Sequence, residues 1–169
     1  MTVLSKSDIR RLLQNTPPLI ECCMDLEAQL QPNGIDITVR DIASLQSPGR
    51  IAVSNAQRSV SELVPLTYDG EGFVDLPPGP YVITHNEIVH LPTNVMALAR
   101  PRSSLLRCGV TVETAVWDAG YSGRSQSLLV VHNTNGFRLQ KDARVAQLVF
   151  FRLTGETEGY KGVYQGENV

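Results

Sequence analysis

The chain lacks an excess of charge of either sign: 15 Lys and Arg stand against 17 Asp and Glu, a net of −2. Binders of nucleic-acid polymer usually carry a strong basic surplus, because neutralising phosphates supplies most of that affinity. No nucleic-acid polymer is therefore expected as a partner, whereas a small anionic ligand needs only a local positive site. There is no apolar run near the roughly 20 residues that span a bilayer, and the opening MTVLSKSDIRRLL has no apolar signal core. The expectation is a cytoplasmic protein without a membrane partner. Cysteines are few: Cys22 and Cys23 are adjacent and Cys108 is alone. An odd count without metal spacing predicts free thiols. His85, His90 and His132 show no ligand spacing. There is no Walker loop and no HxE…CxxC pattern, so any deamination would have to proceed without zinc at the base.

What is present suits one domain with a core of its own: 169 residues, 42% hydrophobic and 19% charged. The start predicts a helix, with Ser5 and Asp8 as a capping box and Ile9, Leu12 and Leu13 on one face, stopped by Pro17 and Pro18. From there the pattern is of short strands between turns. Ile35, Ile37 and Val39 alternate with Asp36, Thr38 and Arg40, which puts Asp36 on a polar strand face. Segments 81–84, 87–91, 95–99, 110–116, 127–133 and 144–151 are β-favouring, and Asn135-Gly136 marks a turn. An all-β sandwich or barrel with one helix in front is the expected architecture. Segment 100–108 differs: Pro101 presets a helix start, Ser103 and Ser104 suit a first turn, and Gly109 fits the C-terminal end. One or two helical turns are predicted there.

Three groups of residues can carry chemistry. Ser103 and Arg107, four apart, share one face of a helix, and with Arg102 and Ser104 they make a phosphate-binding set. A capped helix with solvated arginines uses the same residues. In Val116-Trp117-Asp118-Ala119-Gly120-Tyr121-Ser122-Gly123, two glycines admit close backbone approach, Tyr121 can stack on a sugar or base, and Asp118 can orient or deprotonate water. An ordinary hairpin turn also favours Asp and Gly. Asp36 can meet magnesium through water, or stand as a solvated strand carboxylate. The tail, 154–169, is polar and Gly-rich. It reads either as a frayed end or, given Tyr160 and Tyr164, as a lid that orders on a ligand.

In this order the stretches resemble the dUTPase and dCTP deaminase superfamily, and most of all its archaeal-type dUTPases. Gln31-Pro32-Asn33-Gly34-Ile35-Asp36-Ile37 looks like the first motif, Pro101 to Arg107 like the phosphate motif, and Thr114 to Gly123 like the base-holding hairpin. Ala143-Arg144-Val145-Ala146-Gln147-Leu148 is similar to RIAQL, and Gly159 to Gly166 to the closing tail. The likeness is weakest over 41–75. It implies a distorted β-barrel or jelly roll with a short N-terminal helix and one short internal helix. The domain would be 1–155, with 156–169 as a flexible tail closing over the nucleotide, and the assembly a homotrimer with sites between subunits. The implied activity is hydrolysis of dUTP to dUMP and pyrophosphate with Mg2+. The implied roles are Asp118 holding the attacking water, and Arg102, Ser103, Ser104, Arg107 and Gln147 on the phosphates. Thr114 and Ala115 would sit at the base, Tyr121 under the deoxyribose, and Tyr160, Tyr164 and Gln165 in the lid.

The resemblance leaves dCTP deamination, alone or combined with dUTP hydrolysis, as an alternative. Deaminase-type members place a Glu ten residues after the hairpin Asp, to shuttle protons at the base. That position here is Leu128. Sliding the register does not help, because 124–133 contains no carboxylate. Gln126 is the nearest polar group, and an amide is no general base. Without that Glu, hydrolysis would rely on Asp118, with Glu113 as the fallback carboxylate. A nucleotide-binding regulator without catalysis is the remaining alternative.

Overall fold

A computed structural model describes residues 2–169. The elements run β1 (Thr2–Val3), α1 (Lys6–Leu12), β2 (Ile20–Glu21), α2 (Leu26–Gln29), β3 (Leu30–Gln31) and β4 (Gly34–Leu45). A 3-10 turn (Asn55–Gln57) precedes β5 (Leu63–Pro65), β6 (Phe73–Leu76), β7 (Gly79–His85), β8 (Ile88–His90) and β9 (Val95–Pro101). Then come α3 (Ser103–Arg107), β10 (Val110–Glu113), β11 (Ser122–Gly123), β12 (Gln126–Val131), β13 (Phe137–Gln140) and β14 (Arg144–Arg152). The mainly β architecture agrees with the sequence reading. Among the described residues no helix is long and apolar enough to cross a membrane.

The helices follow their local chemistry. Ser5 and Asp8 exchange the two bonds of a capping box and Ile9 is fully buried. α3 begins one residue after Arg102, its N-cap, so Pro101 ends β9 and does not open the helix. Gly109, at φ +73°, takes the left-handed position after α3 as expected. The four-residue α2 was not foreseen; Asp25 caps it by accepting from Ala28 N.

The main sheet follows the path β1-β14-β4-β7-β12-β10, with β3 and β5 also on β4 and β9 also on β14. Two small sheets, β11-β8-β2 and β13-β6, complete the fold. β4 is the hub, and it corrects one expectation. Alternation predicted a polar, solvated face, yet all six residues of Gly34–Val39 are buried. The second face is closed by a layer of paired polar groups in place of water.

That layer is continuous. Glu87, 1% exposed, accepts from Gln29 Nε2 at 2.7 Å, Thr38 N at 2.9 Å and Thr38 Oγ1 at 2.7 Å. Burial pushes its carboxyl upward, and those donors pull it back. Asn86 Nδ2 donates to Thr38 Oγ1 and to Asp142 Oδ1. His85 has Nδ1 3.2 Å from Thr38 O and Nε2 2.8 Å from Ser127 Oγ. A carbonyl only accepts, so Nδ1 carries the hydrogen; burial favours the neutral ring, in which Nε2 accepts from Ser127.

Burial lowers His85 to about 4, with the bond to Thr38 opposing. A histidine whose folded pKa is depressed stabilises the fold above its unfolded pKa and loses that stability as pH falls. Folding stability should therefore decline between about pH 6.5 and 4. Denaturant titrations across that window should show a flatter decline for His85→Gln.

Candidate active site

The loop after β10 crosses the sheet edge, pairs Trp117 with Ala97, and turns through Asp118-Ala119-Gly120-Tyr121 into β11. Tyr121 N donates to Asp118 O at 3.1 Å, which closes the turn, and Gly120 supplies φ +82°. Beneath lies a cleft of about 610 Å3. Its floor is the outer face of β10, β12 and β7, where Glu113, Leu128 and Val82 form one cross-strand row with Gln126 alongside. Its walls are Ala115, Val116, Trp117, Asp118 and Tyr121 on one side and Tyr160, Tyr164 and Glu167 on the other.

Asp118 is exposed, and its carboxylate takes no hydrogen bond from the described residues. Tyr121 is 5% exposed; its hydroxyl donates to Glu167 Oε1 at 2.9 Å and its ring meets Tyr160 edge-on at 5.7 Å. Burial, then the bond to Glu167, pushes the Tyr121 phenol far up, and burial pushes the Glu167 carboxyl up.

The tail binds the hairpin through its backbone. Gln165 accepts from Ser122 N at 3.1 Å and donates to Gly120 O at 3.1 Å. Gly166 N donates to Ser122 O at 2.7 Å, Tyr160 N to Ala119 O at 2.8 Å, and Arg124 N to Glu167 O at 2.9 Å. A Cβ on Gly120 would come within 2.6 Å of Gly159 Cα. The room left by this glycine thus admits the tail.

The phosphate set lies elsewhere on the chain. None of Arg102, Ser103, Ser104, Arg107 or Gln147 lines the cleft. Ser103, Ser104 and Arg107 are exposed on α3. Gln147 sits on β14 between Asp36 of β4 and Arg100 of β9. A Cβ on Gly34 would approach Gln147 Nε2 to 3.1 Å and press closer still on the Leu148 carbonyl, so this position needs glycine. Thr114 precedes Ala115 in the hairpin but does not line the cleft.

Asp36 is 2% exposed, not a solvated strand carboxylate. Its Oδ2 is 3.0 Å from Arg102 Nε and 3.4 Å from Arg144 Nη1. Burial pushes its carboxyl up, while the two guanidiniums pull it down. A cation beside Asp36 would face both guanidiniums, and among the described residues no cluster of three or more His, Cys, Asp or Glu could hold one. The protein groups do not fit a metal held by the chain itself.

Sequence reasoning singled out Asp118, Tyr121, Ala115, Tyr160, Tyr164 and Gln165, and the fold gathers these around one cleft. It missed Glu167, Trp117 and Arg144. Glu167 lay in a tail without periodicity, and no pattern pointed to its bond with Tyr121. Arg144 carried a signal, since it opens the stretch that resembles RIAQL.

Comparison with known proteins matches this architecture. The model of the dCTP deaminase-like family covers residues 3–153. A Methanosarcina acetivorans protein named probable deoxyuridine 5'-triphosphate nucleotidohydrolase is 50% identical over 169 residues, 99% of each chain. One of the same name from Archaeoglobus fulgidus is 49% identical over 169 residues, 100% of this chain and 99% of that one. The crystal structure of 2'-deoxycytidine 5'-triphosphate deaminase from Agrobacterium tumefaciens superposes with a TM-score of 0.66 at 22% identity, over 88% of this chain and 47% of that chain. That likeness is one of fold. The match over residues 3–153 and the identity kept along the whole length put the chain in the dCTP deaminase-like family.

Proposed function

We propose that this chain hydrolyses dUTP to dUMP and pyrophosphate. Support comes from relatives named for that activity at about half identity along the full length. The observation that carries the reading is Asp118: an exposed carboxylate, unpartnered among the described residues, on a hairpin that walls a nucleotide-sized cleft. In this role it holds a water whose oxygen attacks the α-phosphorus in line. The α–β bridging bond breaks, pyrophosphate leaves, and the water proton passes to Asp118 or solvent. Tyr121 packs beneath the deoxyribose, with Thr114 and Ala115 at the base. Arg102, Ser103, Ser104, Arg107 and Gln147 take the triphosphate, which arginine forks suit.

Asp36 is reassigned from metal contact to positioning: it aims Arg102 and Arg144. Magnesium belongs with the triphosphate, since it keeps several waters and prefers substrate phosphates to an all-protein cage. The separation of the phosphate set from the cleft supports a site completed between subunits, in a homotrimer. Residues 156–169 act as the lid, which excludes water and positions the phosphates.

A second reading, dCTP deamination, has one observation in its favour. β12 offers no carboxylate, but its Leu128 pairs directly with Glu113, whose side chain lines the same cleft. Directly opposed residues project to one face with Cβ atoms about 5 Å apart.

Incubation with dUTP and, separately, dCTP in the presence of magnesium, with products resolved by chromatography, tests both. The expected result is dUMP and pyrophosphate from dUTP, with dCTP untouched. Uracil nucleotides from dCTP would favour deamination with Glu113 as the acting carboxylate. Binding without product would favour a nucleotide-binding regulator.

Asp118→Asn should cut turnover at least about 100-fold and leave binding of a non-hydrolysable dUTP analogue nearly intact. Full activity in that variant would overturn the assignment. Ending the chain after residue 158 should preserve melting temperature and assembly but lower kcat/KM by about tenfold or more, the scale set by several lost hydrogen bonds. Unchanged kinetics would reduce the tail to a frayed end.

A further inference from the structure

Between the end of β4 at Leu45 and the start of β5 at Leu63 the chain leaves the sheet as an arm. Its limbs are tied to each other. Gln46 N donates to Glu62 O at 2.9 Å, Glu62 N to Ser47 Oγ at 2.8 Å, and Arg50 and Ser59 exchange both backbone bonds at 2.7 and 2.9 Å. The 3-10 turn forms the tip, capped where Ser54 Oγ accepts from Ala56 N and closed by Arg58 N donating to Asn55 O. Most of the tip is open to solvent: Ile51 is 81% exposed, and Val53 is fully so.

Arg58 is less open. It is half-buried, and its guanidinium carbon stands 5.6 Å from the centre of the Tyr164 ring. Its side chain has no ion pair or hydrogen bond among the described residues, so this ring is the partner the structure gives it. A cation within about 6 Å of an aromatic face is attracted by the ring quadrupole. Tyr164 lines the cleft and belongs to the segment that Gln165 and Glu167 fasten to the hairpin. The hairpin bonds hold the tail at Gln165 and Glu167, and Arg58 meets it at Tyr164. The arm's tip is stiffened by its own ladder, which fixes where the guanidinium is presented.

We propose that residues 46–62 are a latch for the C-terminal tail, with Arg58 as a positioning residue that holds Tyr164 against the cleft. The latch rests on reading the cleft as the dUTP site, since it acts on that site's lid. A single cation–π contact at a partly exposed position is worth about a 2- to 5-fold shift in an equilibrium.

Tail opening can be read without nucleotide. Lys161 is the one Lys or Arg after Arg152, and its side chain is 74% exposed. The rate of trypsin cleavage after Lys161 in the full-length protein, with trypsin limiting, follows the open fraction of the tail. Arg58→Ala should raise it about 2- to 5-fold, Arg58→Lys should raise it less, and Tyr164→Leu should match Arg58→Ala. The double variant should be no faster than either single one, because each removes the same contact. The KM for dUTP should rise by a similar factor in Arg58→Ala, with kcat moving less and melting temperature unchanged. Equal cleavage rates in wild type and Arg58→Ala, or multiplying effects in the double variant, would overturn the latch. If the wild type turns over no dUTP, the reading of the cleft falls; if it does and the cleavage rates agree, the latch alone falls.

Discussion

Strand β4 is buried on both faces from Gly34 to Val39, and two of those six residues are polar. An unpaired charge or hydroxyl there is costly, and removing one partner of a buried ion pair costs roughly 3–5 kcal/mol. Much of the site's geometry answers that constraint. Asp36 is met by Arg102 and Arg144, which ties the start of α3 to the start of β14. Thr38 is met by Glu87, and Glu87 by Gln29, which ties α2 to the strand. His85 accepts from Ser127 and so fixes β7 against β12. One row of obligatory pairings thus runs from Arg102 and Arg144 to the sheet that floors the cleft. The two arginines are aimed because a buried carboxylate requires them to be.

The other half of the site is made by a segment that cannot fold alone. Residues 154–169 carry few apolar side chains, yet Tyr160 packs on Tyr121 and Glu167 accepts from its hydroxyl. Most of the remaining bonds join the tail to the hairpin through backbone groups or the Gln165 amide. Such bonds add about 1 kcal/mol each net of water, enough together to hold a tail and weak enough singly to let it go. Gly120 and Gly159, both at positive φ, make the contact close. A side chain at Gly120 would press on Gly159 Cα and Tyr160 N and keep the backbones apart.

The sequence was legible where local chemistry decides structure. The capping box of α1, the glycine after α3 and the hairpin at 118–123 follow from single residues and short spacings. It was less legible where a distant partner decides. Alternation along β4 assigned Asp36 and Thr38 to water, because nothing at 36 or 38 announces Arg102, Arg144 or Glu87, which come from other elements. α2 was missed since four residues have no periodicity to detect. The cleft residues were found singly, by type and by the resemblance of their stretches. The distance between the cleft and the phosphate set is a property of the folded sheet, and no spacing encodes it.

The carboxylates around the cleft separate by environment, and that separation bears on chemistry. Glu167 is partly buried, its charge disfavoured by desolvation, and one oxygen is engaged by Tyr121. It is spent on holding the tail. Glu113 is exposed on the sheet floor opposite Leu128. Asp118 is exposed on the hairpin itself, one turn from Tyr121 and free of partners among the described residues. Attack at phosphorus needs a carboxylate beside the sugar–phosphate junction, whereas attack on a pyrimidine ring needs one beside the base. A hairpin that presents Asp118 and a strand that presents Leu128 therefore favour the first reaction.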